Sequence, residues 1–120
     1  MDIQFFHDPN KIPQPKEKIR IESIQAAPYA DRFRVFVEVR ITPFQVRPNL
    51  LLALYDADEQ LVTELSIIET MHADMEFTMH IRGRQNPAGV YRLVVEMFYE
   101  TRNPPQDRQT VMIEISEATT

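Results

Sequence analysis

The sequence predicts an all-β domain, a two-sheet antiparallel sandwich of about seven strands with an irregular, proline-containing N-terminal arm. Three observations carry this. Apolar side chains recur at every second position in a series of short runs, the period of a strand with one face in a core. Proline, glycine and acidic clusters separate those runs at short, regular intervals, as in sandwiches and barrels. The chain has 120 residues, 43% of them hydrophobic and 26% charged, which suits one globular domain around one core.

Residues 1–17 read as an arm, because Pro9, Pro13 and Pro15 lack the N–H that a ladder or helix interior requires. Its bulky apolar side chains are Phe5 and Phe6, which are expected to dock on the sandwich; a neighbouring subunit and a free state remain the other two fates. Residues 18–116 form the sandwich and 117–120 a tail. The first run carries Ile19 and Ile21, extends to Ala26 through a bulge near Ser23, and turns at Pro28 to Asp31.

The second run is the clearest: Phe33, Val35, Val37, Val39 and Ile41 alternate with polar neighbours, so one face is core and the other wet. Thr42 to Pro48 crosses to the other sheet. The third run, Leu50 to Tyr55, is apolar on both sides and therefore covered on both faces. After the acidic turn at Asp56 to Gln60, residues 61–73 stay open between strand and helix. The alternation of Leu61, Thr63, Leu65 and Ile67 and the β-branched crowding favour strand, while Leu61, Leu65, Ile68, His72 and Met75 fit a helical stripe. Met75, Phe77, Met79 and Ile81 give the fifth run, and Tyr91, Leu93, Val95, Met97 and Tyr99 the inward side of the sixth. Val111, Ile113 and Ile115 give the seventh.

The segment Pro87-Ala88-Gly89-Val90-Tyr91, followed by Arg92 to Glu96, resembles the approach to the sixth strand of immunoglobulin-like and fibronectin type III-like domains. That resemblance implies an immunoglobulin-like strand order and makes Tyr91 a structural tyrosine corner, its hydroxyl bonded back to the preceding turn. The chain has neither cysteine nor tryptophan, so it departs from antibody domains and sits nearer the disulfide-free branches. The superfamily hosts many activities, so the likeness implies no particular one.

Chemistry is argued mainly by exclusion. A net charge of −5 and scattered basic residues predict no nucleic-acid partner. The absence of a long apolar run and of a signal-like N-terminus predicts no membrane partner and a cytoplasmic location, with which zero cysteine agrees. Ser23, Ser66 and Ser116 lie in no nucleophile motif, and Gly83 and Gly89 are too few for a phosphate-cradling loop, so the expectation is no enzyme and no cofactor. Asp56, Asp58 and Glu59 read as a polar hairpin turn rather than a calcium loop. His72, Asp74 and His80, interleaved with Met71, Met75 and Met79, form the one metal-like grouping; the plainer reading makes Met75 and Met79 core filling and turns His80 to the opposite face.

Function is then expected to reside in a surface. With odd-numbered residues of the sixth strand inward, Val94 and Phe98 turn outward, Met112 stands next door, and Leu51, Ala53 and Tyr55 can join them in one apolar patch, which either the N-terminal arm covers through Phe5 and Phe6 or another subunit meets. The candidate interface is Val94, Phe98, Met112 and Tyr55, serving a non-enzymatic module that binds a protein partner or forms a homodimer. The alternative is a small-ligand or metal-binding accessory domain using His72, Asp74 and His80. The loop Glu100 to Arg108, stiffened by Pro104 and Pro105, is read as a long hairpin connection.

Overall fold

Alternation at period two places four consecutive inward side chains of one run, Val35, Val37, Val39 and Ile41, at zero exposure, and the rest of the fold stacks on that stripe. The computed structural model describes residues 12–118; Phe5, Phe6 and the rest of residues 1–11 lie outside the described residues. After a single 3-10 turn at Lys16–Lys18 come seven strands: β1 Ile21–Pro28, β2 Arg34–Ile41, β3 Asn49–Tyr55, β4 Leu61–Ile67, β5 Asp74–His80, β6 Gly89–Phe98 and β7 Asp107–Ile115. They form two antiparallel sheets, ordered β1-β2-β5 and β4-β3-β6-β7.

The core lies between the sheets, where the β2 stripe meets Leu50, Leu52 and Leu54 of β3 and Leu93, Val95 and Met97 of β6. Each such side chain contributes about 1.5–3 kcal/mol by leaving water. Met75 and Met79 are buried in this core, filling it from β5. The outer face of the three-stranded sheet is polar, with Gln25, Glu38 and Glu76 in one cross-strand row and Arg40 paired to Asp74 at 2.9 Å.

Of residues 61–73, which the sequence leaves open between strand and helix, 61–67 are strand and 68–73 are an irregular connection that is neither. One feature of β4 differs from simple alternation: the register shifts opposite Leu54 and Tyr55, so Leu61 stands beside Tyr55 and is 51% exposed while Val62 packs toward the core. An equivalent shift between Ile21 and Ser23 interrupts β1.

The two long sides of the sandwich are closed differently. Along β1 and β7 the closure is made by side chains. Asp107 Oδ2 accepts the Ile21 N–H at 2.8 Å, Gln109 Nε2 donates to the Ile21 carbonyl at 2.7 Å, and Gln106 Nε2 donates to the carbonyls of Lys16 and Ile19. Backbone groups beside an interrupted ladder thus find partners in the other sheet. Along the opposite side β4 and β5 are both sheet edges, and Ile68 to Ala73 cross between them.

Where the chain enters β6, the Tyr91 hydroxyl donates to the Pro87 carbonyl at 2.7 Å, with the ring 2% exposed. Gly89 has φ 141°, and a Cβ there would meet nothing, so backbone conformation rather than space selects glycine. Tyr91→Phe should lower unfolding stability by about 1 kcal/mol by leaving a buried carbonyl without its donor, and Leu93→Ala by about 2–4 kcal/mol as a core truncation. Urea denaturation checks both; a loss at Leu93 no larger than a surface substitution would contradict the inward register of β6.

Candidate functional site

The registers of β4, β3, β6 and β7 write the outer face of the four-stranded sheet as cross-strand rows. Leu61, Tyr55, Arg92 and Met112 make the first row, then Glu64, Ala53, Val94 and Thr110, then Ser66, Leu51, Glu96 and Arg108, with Asn49 and Phe98 beyond. The first row is open and largely apolar: Met112 is 61% exposed, and the Arg92 guanidinium lies 4.7 Å from the centre of the Tyr55 ring while pairing with Glu59. Val90, at the start of β6, adds a further exposed apolar side chain beside it.

The third row is closed. The β6–β7 loop returns over the sheet and brings Arg102 Nε to 2.8 Å from Glu96 Oε1, while Arg108 donates from Nε and Nη2 to Oε2 at 3.1 and 2.7 Å. Glu96 retains only 5% exposure on a face expected to be wet. Burial alone would raise its carboxyl pKa; the hydrogen bonds from Arg102 and Arg108 outweigh burial and hold it below the ordinary glutamate value. Between the loop and the sheet remains a cleft of about 300 Å³ with Leu51, Ala53 and Val94 beneath it and Arg92, Arg102 and Arg108 around it.

This geometry revises the expected patch. Val94, Phe98 and Tyr55 are half-buried and Met112 is exposed, but Leu51 and Ala53 are buried, because loop and ion pairs cover their rows. Phe98 is six residues from Arg92 along β6, a span of about 20 Å, with the Glu96 group between them. The four candidate interface residues therefore do not form one continuous surface: Tyr55, Val94 and Met112 share one half of the face and Phe98 occupies the other.

A second apolar surface was not read from the sequence. Ile68 and Met71, 72% and 68% exposed, border a cleft of about 440 Å³ at the β4–β5 side, with Ile67, Met75 and Phe77 inside it. The available signal was the doublet Ile67-Ile68 at a strand end, since neighbouring residues on a strand cannot both face the core. Thr70 anchors this connection: its N–H donates to the Pro48 carbonyl, and its buried hydroxyl bonds the His72 carbonyl and the Met75 sulfur.

The metal-like grouping is not gathered. Asp74 opens β5 and His80 ends it, about 20 Å apart along an extended strand, and Asp74 is engaged by Arg40. Among the described residues no three histidine or carboxylate side chains stand close enough to hold one ion. Asp56, Asp58 and Glu59 form the β3–β4 turn, where Asp56 Oδ1 accepts the N–H groups of Asp58 and Gln60, and Oδ2 accepts Arg84. The Arg84 bond, then the Gln60 N–H, holds the Asp56 carboxyl below its usual range.

These features define a two-sheet antiparallel β-sandwich whose distinctive chemistry lies on the outer face of its larger sheet. No protein-family model and no curated protein matches the chain. Solved structures with a similar fold include the Bifidobacterium dentium β-glucuronidase complexed with coumarin-3-O-glucuronide, with a TM-score of 0.55, 17% identity, and 81% of this chain covered against 18% of that one. A glycosyl hydrolase family 2 member from Bacteroides cellulosilyticus aligns with a TM-score of 0.55, 12% identity, and coverage of 81% and 15%. The Ruminococcus gnavus β-glucuronidase in complex with D-glucaro 1,5-lactone gives 0.51, 15%, and coverage of 82% and 16%. The chain thus spans less than a fifth of the length of these enzymes, and at such identity the likeness concerns the fold. No helix among the described residues is long and apolar enough to cross a membrane.

Glu96→Gln should cost about 1–2 kcal/mol at neutral pH, because two half-exposed arginines lose a shared anion. A depressed carboxylate contributes stability that is complete above its unfolded pKa, about 4.3, and disappears as pH falls through the lower folded value. The gap between wild type and variant should therefore close as pH drops below about 4. Denaturant midpoints measured against pH test this; a gap that persists in acid would contradict the ionised pair.

Proposed function

We propose that the chain is a non-catalytic interaction module that binds another protein, or a second copy of itself, through the open half of the outer sheet face around Tyr55, Met112, Leu61 and Val94. The observation that carries the reading is the first cross-strand row, where Leu61 and Met112 flank a stacked Tyr55 and Arg92 with half or more of each aliphatic side chain in water. An aromatic and an arginine at the centre of an apolar strip are the residue types that anchor protein interfaces. Three of the acidic residues around the sheets are held by arginines, Glu96 by two, Asp56 by Arg84 and Asp74 by Arg40.

The fold supports placing the domain among immunoglobulin-like and fibronectin type III-like sandwiches. Tyr91 bonds back to Pro87, and β3, β6 and β7 share a sheet. β4 pairs with β3 rather than joining β1, β2 and β5, so the order is not that of the constant-type immunoglobulin domain. The similar segments within much longer glycoside hydrolases suit a domain that works as one part of an assembly. Zero cysteine and a net charge of −5 support a reducing compartment, with neither nucleic acid nor a membrane surface as partner.

A second surface has its own observation in its favour: Ile68 and Met71 are the more exposed aliphatic pair, and they border two sheet edges. Light scattering over a concentration series separates the two. The proposed face predicts self-association or partner binding that Met112→Asp or Leu61→Asp abolishes and Ile68→Asp leaves intact, whereas the reverse pattern would transfer the function to the β4–β5 side. Indifference to all three substitutions in a concentration-dependent assembly would remove both surfaces.

A further inference from the structure

We infer that the cleft beneath the β6–β7 loop is a binding site for a small organic acid carrying a single carboxylate. The site shares Tyr55, Arg92 and Val94 with the proposed docking strip, and its ligand chemistry does not rest on that reading. Three guanidiniums and one carboxylate line the cleft, with Glu59 and Glu64 beside it, so what distinguishes the site is its concentration of guanidinium donors rather than its net charge.

The donors are in surplus. Each guanidinium carries five N–H groups in a planar fork. Glu96 receives one from Arg102 and two from Arg108, and Arg92 gives one to Glu59. Among the described residues, both terminal nitrogens of Arg102 have no hydrogen-bond acceptor. Two adjacent N–H groups in a fork fit the two oxygens of a carboxylate. Glu96 does not compete for the ligand's place; its charge sits within the floor and fixes Arg102 and Arg108, so the ligand meets cations already oriented.

Charge and shape restrict the class of ligand. Leu51, Ala53 and Val94 form a small apolar patch beneath a largely polar lining, enough to meet one face of a small flat body. Three carboxylates lie near: Glu96 in the floor, Glu59 on Arg92, and Glu64, whose charge reaches Arg102. They penalise a second negative charge on the ligand, so a monoanion with a short apolar body fits better than a phosphate dianion.

The experiment is an NMR titration of the full chain at constant ionic strength, observing backbone amides and arginine Nε–H signals. The probes are benzoate, its uncharged counterpart benzamide, and inorganic phosphate. Benzoate should give saturable shifts at Arg92, Val94, Arg102 and Arg108 with a dissociation constant on the order of 1–10 mM, as suits so small a ligand. Benzamide should give none and phosphate should bind more weakly. Arg102→Gln, with its dispersed spectrum retained, should weaken benzoate about tenfold, and Glu64→Gln should tighten it about two- to threefold. Arg92→Gln is the second probe of the same prediction should the loop variant lose its fold. Absence of saturable shifts, equal binding of benzamide, phosphate binding as tight as benzoate, or an arginine variant with undiminished affinity would each overturn the assignment.

Discussion

A carboxylate whose pKa burial would raise is held below its ordinary value by two guanidiniums, and the outer face of the larger sheet is organised by that contact. Glu96 sits on β6, an interior strand, where backbone groups are occupied by ladders on both sides and only the side chain remains to be satisfied. Arg108 reaches it from the next strand, but Arg102 can reach it only if the β6–β7 loop bends back over the sheet. The ion pairs therefore hold the loop in place. The loop in turn walls a cleft with Arg102 and Asn103, above the buried Leu51 and Ala53.

Such a device gives geometry more than stability. A carboxylate in a low-dielectric position loses hydration, and its partners recover that cost only when the bonds are well formed. Both arginines are roughly half exposed, so solvent screens part of their attraction, and among the described residues each retains donors without an acceptor. What the arrangement secures is a fixed position for two cations above an apolar floor. The stacked Tyr55 and Arg92 continue that pattern to the open row, where the face passes from covered and charged to exposed and apolar.

Much of this architecture was legible because the core obeys a two-residue period. The stripe of β2, the double-sided burial of β3 and the inward set Tyr91 to Met97 all follow from which side chains can leave water together. The β-branched crowding of Val62, Thr63, Ile67 and Ile68 correctly favoured strand for β4. The outer face was less legible, because its burial depends on contacts remote in sequence. Nothing local to Glu96 announces that a loop six residues later will cover it, and polar alternation alone places it in water. Nor does periodicity register a bulge, so the outward turn of Leu61 followed from backbone pairing rather than from residue type. Asp74 and His80 are near in sequence yet lie at opposite ends of a strand, where sequence proximity becomes spatial separation.

The unequal closure of the two long sides has a consequence for how the domain can be joined to other β-structure. Gln106, Asp107 and Gln109 direct hydrogen bonds to the backbone of Lys16, Ile19 and Ile21, which laces the two sheets together at the start of β1. Among the described residues β4 and β5 carry no such lacing, and each is a sheet edge beside an apolar trough. An incoming extended segment would lengthen a sheet from that flank, leaving the laced seam undisturbed, so the sandwich has a directional grain that its near-symmetric strand count conceals.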